Sequence, residues 1–204
     1  MRRLSLLWLA VLALPVAAEP LGDPPEGLAQ ATFAGGCFWC VEQAFDEVEG
    51  VEATISGYTG GDVADPTYHQ VSGGDTGHAE AVRIHYDPGV VDYRRLLDVF
   101  WHNIDPTVRD RQFCDKGSQY RSAIFYHGDE QERLAKETRR AIEESGRLPG
   151  PVVTEIESAG PFYRAEDYHQ DYYRKNPARY KFYVTACGRY DRLEELWGDE
   201  ARTG

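Results

Sequence analysis

The chain has 204 residues, 42% of them hydrophobic, with 34 acidic against 22 basic side chains and a formal net charge of −12. A field of that sign disfavours nucleic acid and anionic lipid as partners. The length suits one domain with a sizeable core, and four cysteines are too few for a scaffold built on disulfides.

Residues 1–18 read as an export signal. Arg2 and Arg3 precede an apolar run, Leu4 to Leu14, and Val16-Ala17-Ala18 supplies the small residues for cleavage after Ala18. The run is short for a bilayer span, and nothing later in the chain is longer, so no membrane attachment is expected once the leader is removed. The mature protein, about 186 residues, is then expected outside the cytoplasm, in a periplasm-like compartment. Residues 19–30, with Pro20, Pro24 and Pro25, read as an unstructured lead-in, and 31–204 as a single domain.

Ala31 to Ala34 is strand-like and ends at Gly35-Gly36. Cys37-Phe38-Trp39-Cys40 follows, and apolar residues at 41, 44, 45 and 48 then have helical spacing. Cys37 therefore falls where a strand hands over to a helix. Unpaired N–H groups there favour a thiolate, the nucleophilic form of cysteine. Cys40 lies one turn on, within disulfide reach.

Val51–Tyr58 is predicted as a strand, then a glycine-rich loop runs to Gly77-His78. Ala79–Tyr86 alternates as a strand, with Glu80 near its start. Asp92–His102 is an amphipathic helix, and Asp105–Tyr120 is irregular. Arg121–Tyr126 is a strand, Glu130–Glu144 a charged surface helix, and Pro151–Glu157 a strand. A tyrosine-rich helical stretch, Glu166–Lys175, is ended by Asn176-Pro177, and Thr185-Ala186-Cys187-Gly188 reads as a tail before a short helix, Asp191–Trp197. Interleaved strands and helices predict an α/β, two-layer sandwich with a mixed sheet.

Five features carry chemistry. Cys37 is the candidate nucleophile. Phe38 and Trp39 beside it make an apolar pocket suited to a methyl or thioether group. Glu80, next to such a pocket, has its pKa raised and stays available as a general acid. Asp115 stands in the second loop, and Tyr68 and Tyr120 offer hydroxyls that can hold an oxygen atom. Taken singly, Glu80 is equally a surface strand residue, Asp115 a turn residue, and the aromatics core.

Taken together, the runs Gly36–Trp39, Gly57–Gly61, Pro66–Tyr68, Gly77–Val82, Asp115–Ile124 and Phe162–Gln170 resemble, in order and spacing, the A-type peptide methionine sulfoxide reductases. The resemblance spans about Ala31 to Trp197. It implies a ferredoxin-like core and reduction of methionine-S-sulfoxide, in proteins or free. It implies Cys37 as the nucleophile, Phe38 and Trp39 as the seat of the substrate methyl, Glu80 as the acid, Tyr68 and Tyr120 on the sulfoxide oxygen, and Asp115 as a supporting carboxylate. The product is a Cys37 sulfenic acid, which condenses with a nearby thiol. No cofactor or metal is implied. A thioredoxin-like reductant recycles the enzyme, which is expected to be a monomer.

The chain departs from the family pattern where Asn176-Pro177-Ala178-Arg179-Tyr180 is followed by Lys181 and not by a resolving cysteine. Cys40 is then the expected resolving thiol, with Cys187 the alternative and Cys114 a third candidate. An exported enzyme also needs an exported reductant, and repair of oxidised exported proteins would be its role. Two rival readings fit the motif less well. A thiol oxidoreductase working through Cys37 and Cys40 has no need of Glu80, Tyr68 or the Phe-Trp pair. A zinc module lacks a second ligand pair at zinc spacing.

Overall fold

A computed structural model describes residues 19–202; the proposed leader, 1–18, lies outside them. In chain order the elements are β1 (Ala29–Gly35), α1 (Phe38–Asp46), β2 (Val51–Thr59), α2 (Tyr68–Ser72), β3 (Ala79–Tyr86), α3 (Tyr93–His102), β4 (Arg111–Gln112), β5 (Asp115–Lys116), β6 (Ser122–Tyr126), α4 (Asp129–Glu144), β7 (Glu155–Ser158), β8 (Tyr163–Arg164), α5 (Tyr172–Lys175), α6 (Pro177–Ala186) and α7 (Arg189–Trp197). Among these residues no helix is long and apolar enough to cross a membrane.

Six strands form one mixed sheet in the order β7-β6-β1-β3-β2-β8. Only β6 and β7 run parallel; the other pairs are antiparallel. The central β6-β1-β3-β2, with α1 and α3 as crossovers, has the β-α-β-β-α-β order of a ferredoxin-like core. Helices α1, α3 and α4 cover one face.

Alternation along the strands decides which side chains meet those helices. On β1, Ala31 and Phe33 join the main core, while Ala34 joins a smaller cluster on the other face. On β3, Val82, Ile84 and Tyr86 face the helices, and Ala79 and Ala81 face away. All eight β3 residues are buried, because both faces are covered. Period two puts Glu80 on the same face as Val82 and Ile84, under the start of α1. Phe33 anchors this layer, stacking on Phe45 at 5.2 Å, Tyr93 at 5.9 Å and Phe100 at 5.0 Å between ring centroids.

The reverse face is closed by segments predicted to be irregular. The lead-in is tied down before β1 begins: the Leu21 amide donates to the Phe162 carbonyl at 2.7 Å. The buried Arg83 guanidinium donates to the Leu21 carbonyl at 3.0 Å and lies over the Phe162 ring at 4.6 Å. Asn176-Pro177 does end a helix, α5, at Lys175, but Pro177 also opens a helix that was not predicted, α6, in whose first turn its fixed φ and missing N–H cost nothing. The Thr185–Gly188 stretch is not a tail but the last turn of α6 and the left-handed Gly188 that turns the chain into α7. Cys187 caps α6 and is joined to Cys114 by a disulfide. The predicted Pro151–Glu157 strand shortens to Glu155–Ser158.

Phe33→Ala removes a buried core ring that three others stack on. We expect a loss of about 3–5 kcal/mol in chemical denaturation.

Candidate active site

The strand-to-helix junction is set by two glycines. Gly36 has φ +82°, and a Cβ there would meet the Gln112 Cβ at 2.5 Å. A Cβ on Gly35 would meet Ile104 at 2.9 Å and Val41 at 3.0 Å. Only a chain without side chains at both points can turn here and still pack. Cys37 is the resulting N-cap of α1, with no side-chain cap of its own.

The first free amide of the helix is used by Glu80: the Phe38 N–H donates to Glu80 Oε2 at 3.1 Å. This one bond brings the carboxyl of β3 next to Cys37. Both lie in the wall of a cavity of about 240 Å³, lined by Cys37, Phe38, Trp39, Tyr68, Glu80, Asp115, Tyr120 and Tyr183. All of the predicted substrate-side residues therefore converge. Burial pushes the Glu80 carboxyl up to about 8, despite the amide it accepts from Phe38. It is therefore mostly protonated at neutral pH.

The aromatic side is held from the C-terminal half of the chain. Trp39 stacks on Tyr172 at 3.7 Å and 7°, meets Tyr183 edge-on at 5.9 Å, and donates its indole N–H to His169 Nδ1 at 3.1 Å. Burial holds His169 down to about 4, so it is neutral and able to accept that bond. Glu166 positions Tyr68: its carboxylate accepts the Tyr58 hydroxyl and the Tyr68 amide, each at 2.8 Å. Tyr68 then opens α2, a helix not predicted from the glycine-rich loop and capped by Thr67 with Gln70. Asp115 accepts the Tyr183 hydroxyl, and burial raises its carboxyl. Burial also raises Tyr68, to about 12, and Tyr120, so their hydroxyls keep their protons.

Tyr183, His169 and Tyr172 were not singled out from the sequence. For Tyr183 a signal existed: Tyr180 and Tyr183 stand three apart on α6 and so share one helix face. Reading Pro177 as a stop hid that helix.

The four cysteines form two pairs. Cys114 and Cys187 are bonded, while Cys37 and Cys40 are free and buried. Cys187, the alternative resolving thiol, thus has no free sulfhydryl in this state. The atoms of Cys114, Asp115 and Cys187 lie within 4.8 Å of one another, but both sulfurs are spent in the disulfide. The thiol pair also departs from the expectation of a lowered Cys37. Burial, its hydrogen bond to Cys40, and the charges of Cys40, Glu80 and Asp115 push the Cys37 thiol well up. Cys40 falls to about 7, held by the hydrogen bond from Cys37 and by the charge of Arg189 against the effect of burial. The helix-start amide that was to favour a Cys37 thiolate is given to Glu80 instead. Cys37 therefore keeps its proton near neutral pH, and Cys40 is the more readily ionised of the two.

Comparison with known proteins agrees with the cavity. The family described as Peptide methionine sulfoxide reductase matches residues 29–201. The chain is 52% identical over 168 residues to the peptide methionine sulfoxide reductase MsrA of Bacillus subtilis, covering 82% of this chain and 95% of that protein. It is 49% identical over 172 residues to MsrA of Listeria monocytogenes serotype 4b, covering 84% and 97%. Among solved structures, reduced Mxr1 from Saccharomyces cerevisiae superposes with a TM-score of 0.70 at 35% identity, covering 77% of this chain and 90% of that one. Methionine sulfoxide reductase A of Corynebacterium diphtheriae gives 0.67 at 35% identity, covering 74% and 76%. A structure of Mxr1 in complex with Trx2 gives 0.51 at 26% identity, covering 74% and 89%. This chain belongs to the A-type peptide methionine sulfoxide reductases and is an oxidoreductase that returns peptide methionine-S-sulfoxide to methionine.

Proposed function

We propose that the enzyme works through a Cys37 sulfenic acid that Cys40 resolves, on free as well as protein-bound methionine-S-sulfoxide. The observation that carries this reading is Glu80, raised by burial and fixed beside Cys37 at the wall of an aromatic cavity. A sulfoxide oxygen leaves poorly until it is protonated, and a neutral carboxyl in a dry pocket supplies the proton.

The substrate methyl sits between Phe38 and Trp39, and the Tyr68 and Tyr120 hydroxyls donate to the sulfoxide oxygen. Asp115 supports the site through its bond with Tyr183. Glu80 gives its proton to the oxygen as the Cys37 sulfur attacks the substrate sulfur, and the Cys37 proton passes to the Cys40 thiolate. Oxygen moves to Cys37, two electrons move to the substrate, and methionine leaves. Cys40 then attacks the Cys37 sulfur, forming the disulfide and releasing water. The two hydrogens of that water come from Glu80 and Cys37, so the cycle balances and leaves Glu80 ionised.

A dithiol reductant returns the two electrons, with no bound cofactor or metal required. The Mxr1 complex with Trx2 supports a thioredoxin-like partner. The residue pattern of 1–18 supports export, with cleavage after Ala18 and a periplasmic location, and repair of oxidised exported proteins is the role that follows from it; the enzyme acts as a monomer.

Three outcomes are expected. In single turnover without reductant, wild type forms one methionine and a Cys37–Cys40 disulfide, found by peptide mapping. Cys37→Ser forms none. Cys40→Ser stops at a trappable sulfenic acid, and Cys187→Ser still makes the Cys37–Cys40 bond. A second disulfide partner in Cys40→Ser would move the resolving role elsewhere.

The pH profile of kcat/KM should be bell-shaped. Its acid limb, near 7, is loss of the Cys40 thiolate; its alkaline limb, near 8, is loss of the Glu80 proton. Glu80→Gln should lower the rate by roughly 10²–10⁴-fold and abolish the alkaline limb. An alkaline limb that survives Glu80→Gln would remove Glu80 from the acid role.

Cell fractionation should find the protein outside the cytoplasm and beginning at Glu19. A cytoplasmic, full-length product would end the export reading.

A further inference from the structure

Cys40 lies at the boundary of a second cavity that takes no part in the chemistry above. This cavity has a volume of about 280 Å³ and a polar lining that includes Gln43, Ala44, Glu47, Tyr180, Arg189 and Arg202. No residue lines both it and the substrate cavity. The helix explains the separation. Cys37 caps α1 and meets the substrate beyond the helix start. Cys40, Gln43, Ala44 and Glu47 stand at i, i+3, i+4 and i+7 and form one stripe down its side.

We infer that the reducing thiolate enters this lateral cavity and attacks the Cys40 sulfur, leaving the substrate cavity to methionine sulfoxide alone. The inference rests on the reading that Cys37 and Cys40 form the catalytic disulfide.

The attacking sulfur must approach along the S–S axis, from the far side of the sulfur it attacks. A Cys37–Cys40 bond bridges the helix start and this stripe, so the far side of Cys40 is the lateral cavity. The charges agree. A thiolate arriving through the substrate cavity would approach the carboxyl of Asp115, which lines that cavity, and meet no basic side chain there. In the lateral cavity it meets two arginines and one glutamate. Arg189 is buried, held by its bond to the Asn103 carbonyl at 2.6 Å and by the Phe113 ring at 4.4 Å. Arg202 is exposed and stands at the mouth over the Tyr190 ring at 4.4 Å.

In the first exchange the reductant sulfur bonds to Cys40 and the S–S bond breaks. Cys37 leaves as a thiolate and takes a proton from Glu80, which has been reprotonated by solvent. In the second exchange another thiolate attacks the reductant sulfur, Cys40 leaves as a thiolate beside Arg189, and the reductant departs as a disulfide. The ligand class is thus a thiolate on a small or narrow polar carrier, either a free low-molecular-weight thiol or the cysteine tip of a dithiol protein.

The test starts from enzyme oxidised by one equivalent of methionine sulfoxide, with the Cys37–Cys40 bond confirmed by peptide mapping. If that bond does not form, the resolving role of Cys40 fails, and the question of entry does not arise. If it forms, its reduction by 2-mercaptoethanesulfonate is timed in wild type and in Ala44→Phe, which fills the cavity. We expect reduction to slow by about tenfold or more while reductant-free methionine formation stays within about twofold. A second variant, Arg202→Glu, sits at the exposed mouth and puts no strain on the core. It should slow the anionic thiol and speed the cationic 2-mercaptoethylamine, each by about threefold or more relative to their rates on a small-molecule disulfide. A thioredoxin is run in parallel. Slowing of the small thiol alone assigns the cavity to small thiols; slowing of both assigns it also to a protein's cysteine tip. Reduction at the wild-type rate in both variants, or competition between 2-mercaptoethanesulfonate and N-acetylmethionine amide, would overturn the inference.

Discussion

Much of the site depends on one hydrogen bond, from the Phe38 amide to the Glu80 carboxyl. A helix start leaves amides unpaired, and a buried carboxyl needs a partner. Here each satisfies the other, across 42 residues of sequence. The bond does three things together. It fixes the entry of α1, and with it the places of Cys37 and Cys40. It seats Glu80 without giving it a counter-charge, so burial dominates and the acid keeps its proton. It also withholds that amide from Cys37, which stays a thiol.

The consequence is a division of charge along the first turn of α1. Carboxyls gather around Cys37, while Arg189 reaches Cys40 from α7. Proton affinity is thereby raised at Cys37 and lowered at Cys40, one turn down the helix.

The aromatic cage comes from the other end of the chain. Tyr172, Tyr183 and His169 hold Trp39, and Glu166 holds Tyr68. The Cys114–Cys187 disulfide joins the β4–β5 turn to the end of α6. It thereby ties Asp115 and Tyr183, hydrogen-bonded to each other, to the same frame.

Local pattern made a good part of this legible. Ala79–Tyr86 alternates, so β3 and the facing of Glu80 follow from its residues alone. Gly35-Gly36 before helical spacing marks the turn that presents Cys37, and the order of the motifs named the family. Other features depended on packing between distant segments. Asn176-Pro177 reads as a helix stop, which it is for α5, but that Pro177 also opens α6 depends on the contacts of Tyr180 and Tyr183 with α1 and the cavity. The pairing of four cysteines is a question of which sulfurs the fold brings within reach, and three pairings were open. The protonation of Cys37 was the least legible of all. The sequence alone determined the strand-to-helix setting of Cys37 and the place of Glu80 on its strand. The tertiary structure alone decided in which direction each thiol is shifted, because that depends on burial and on Glu80, Asp115 and Arg189 converging from three separate segments.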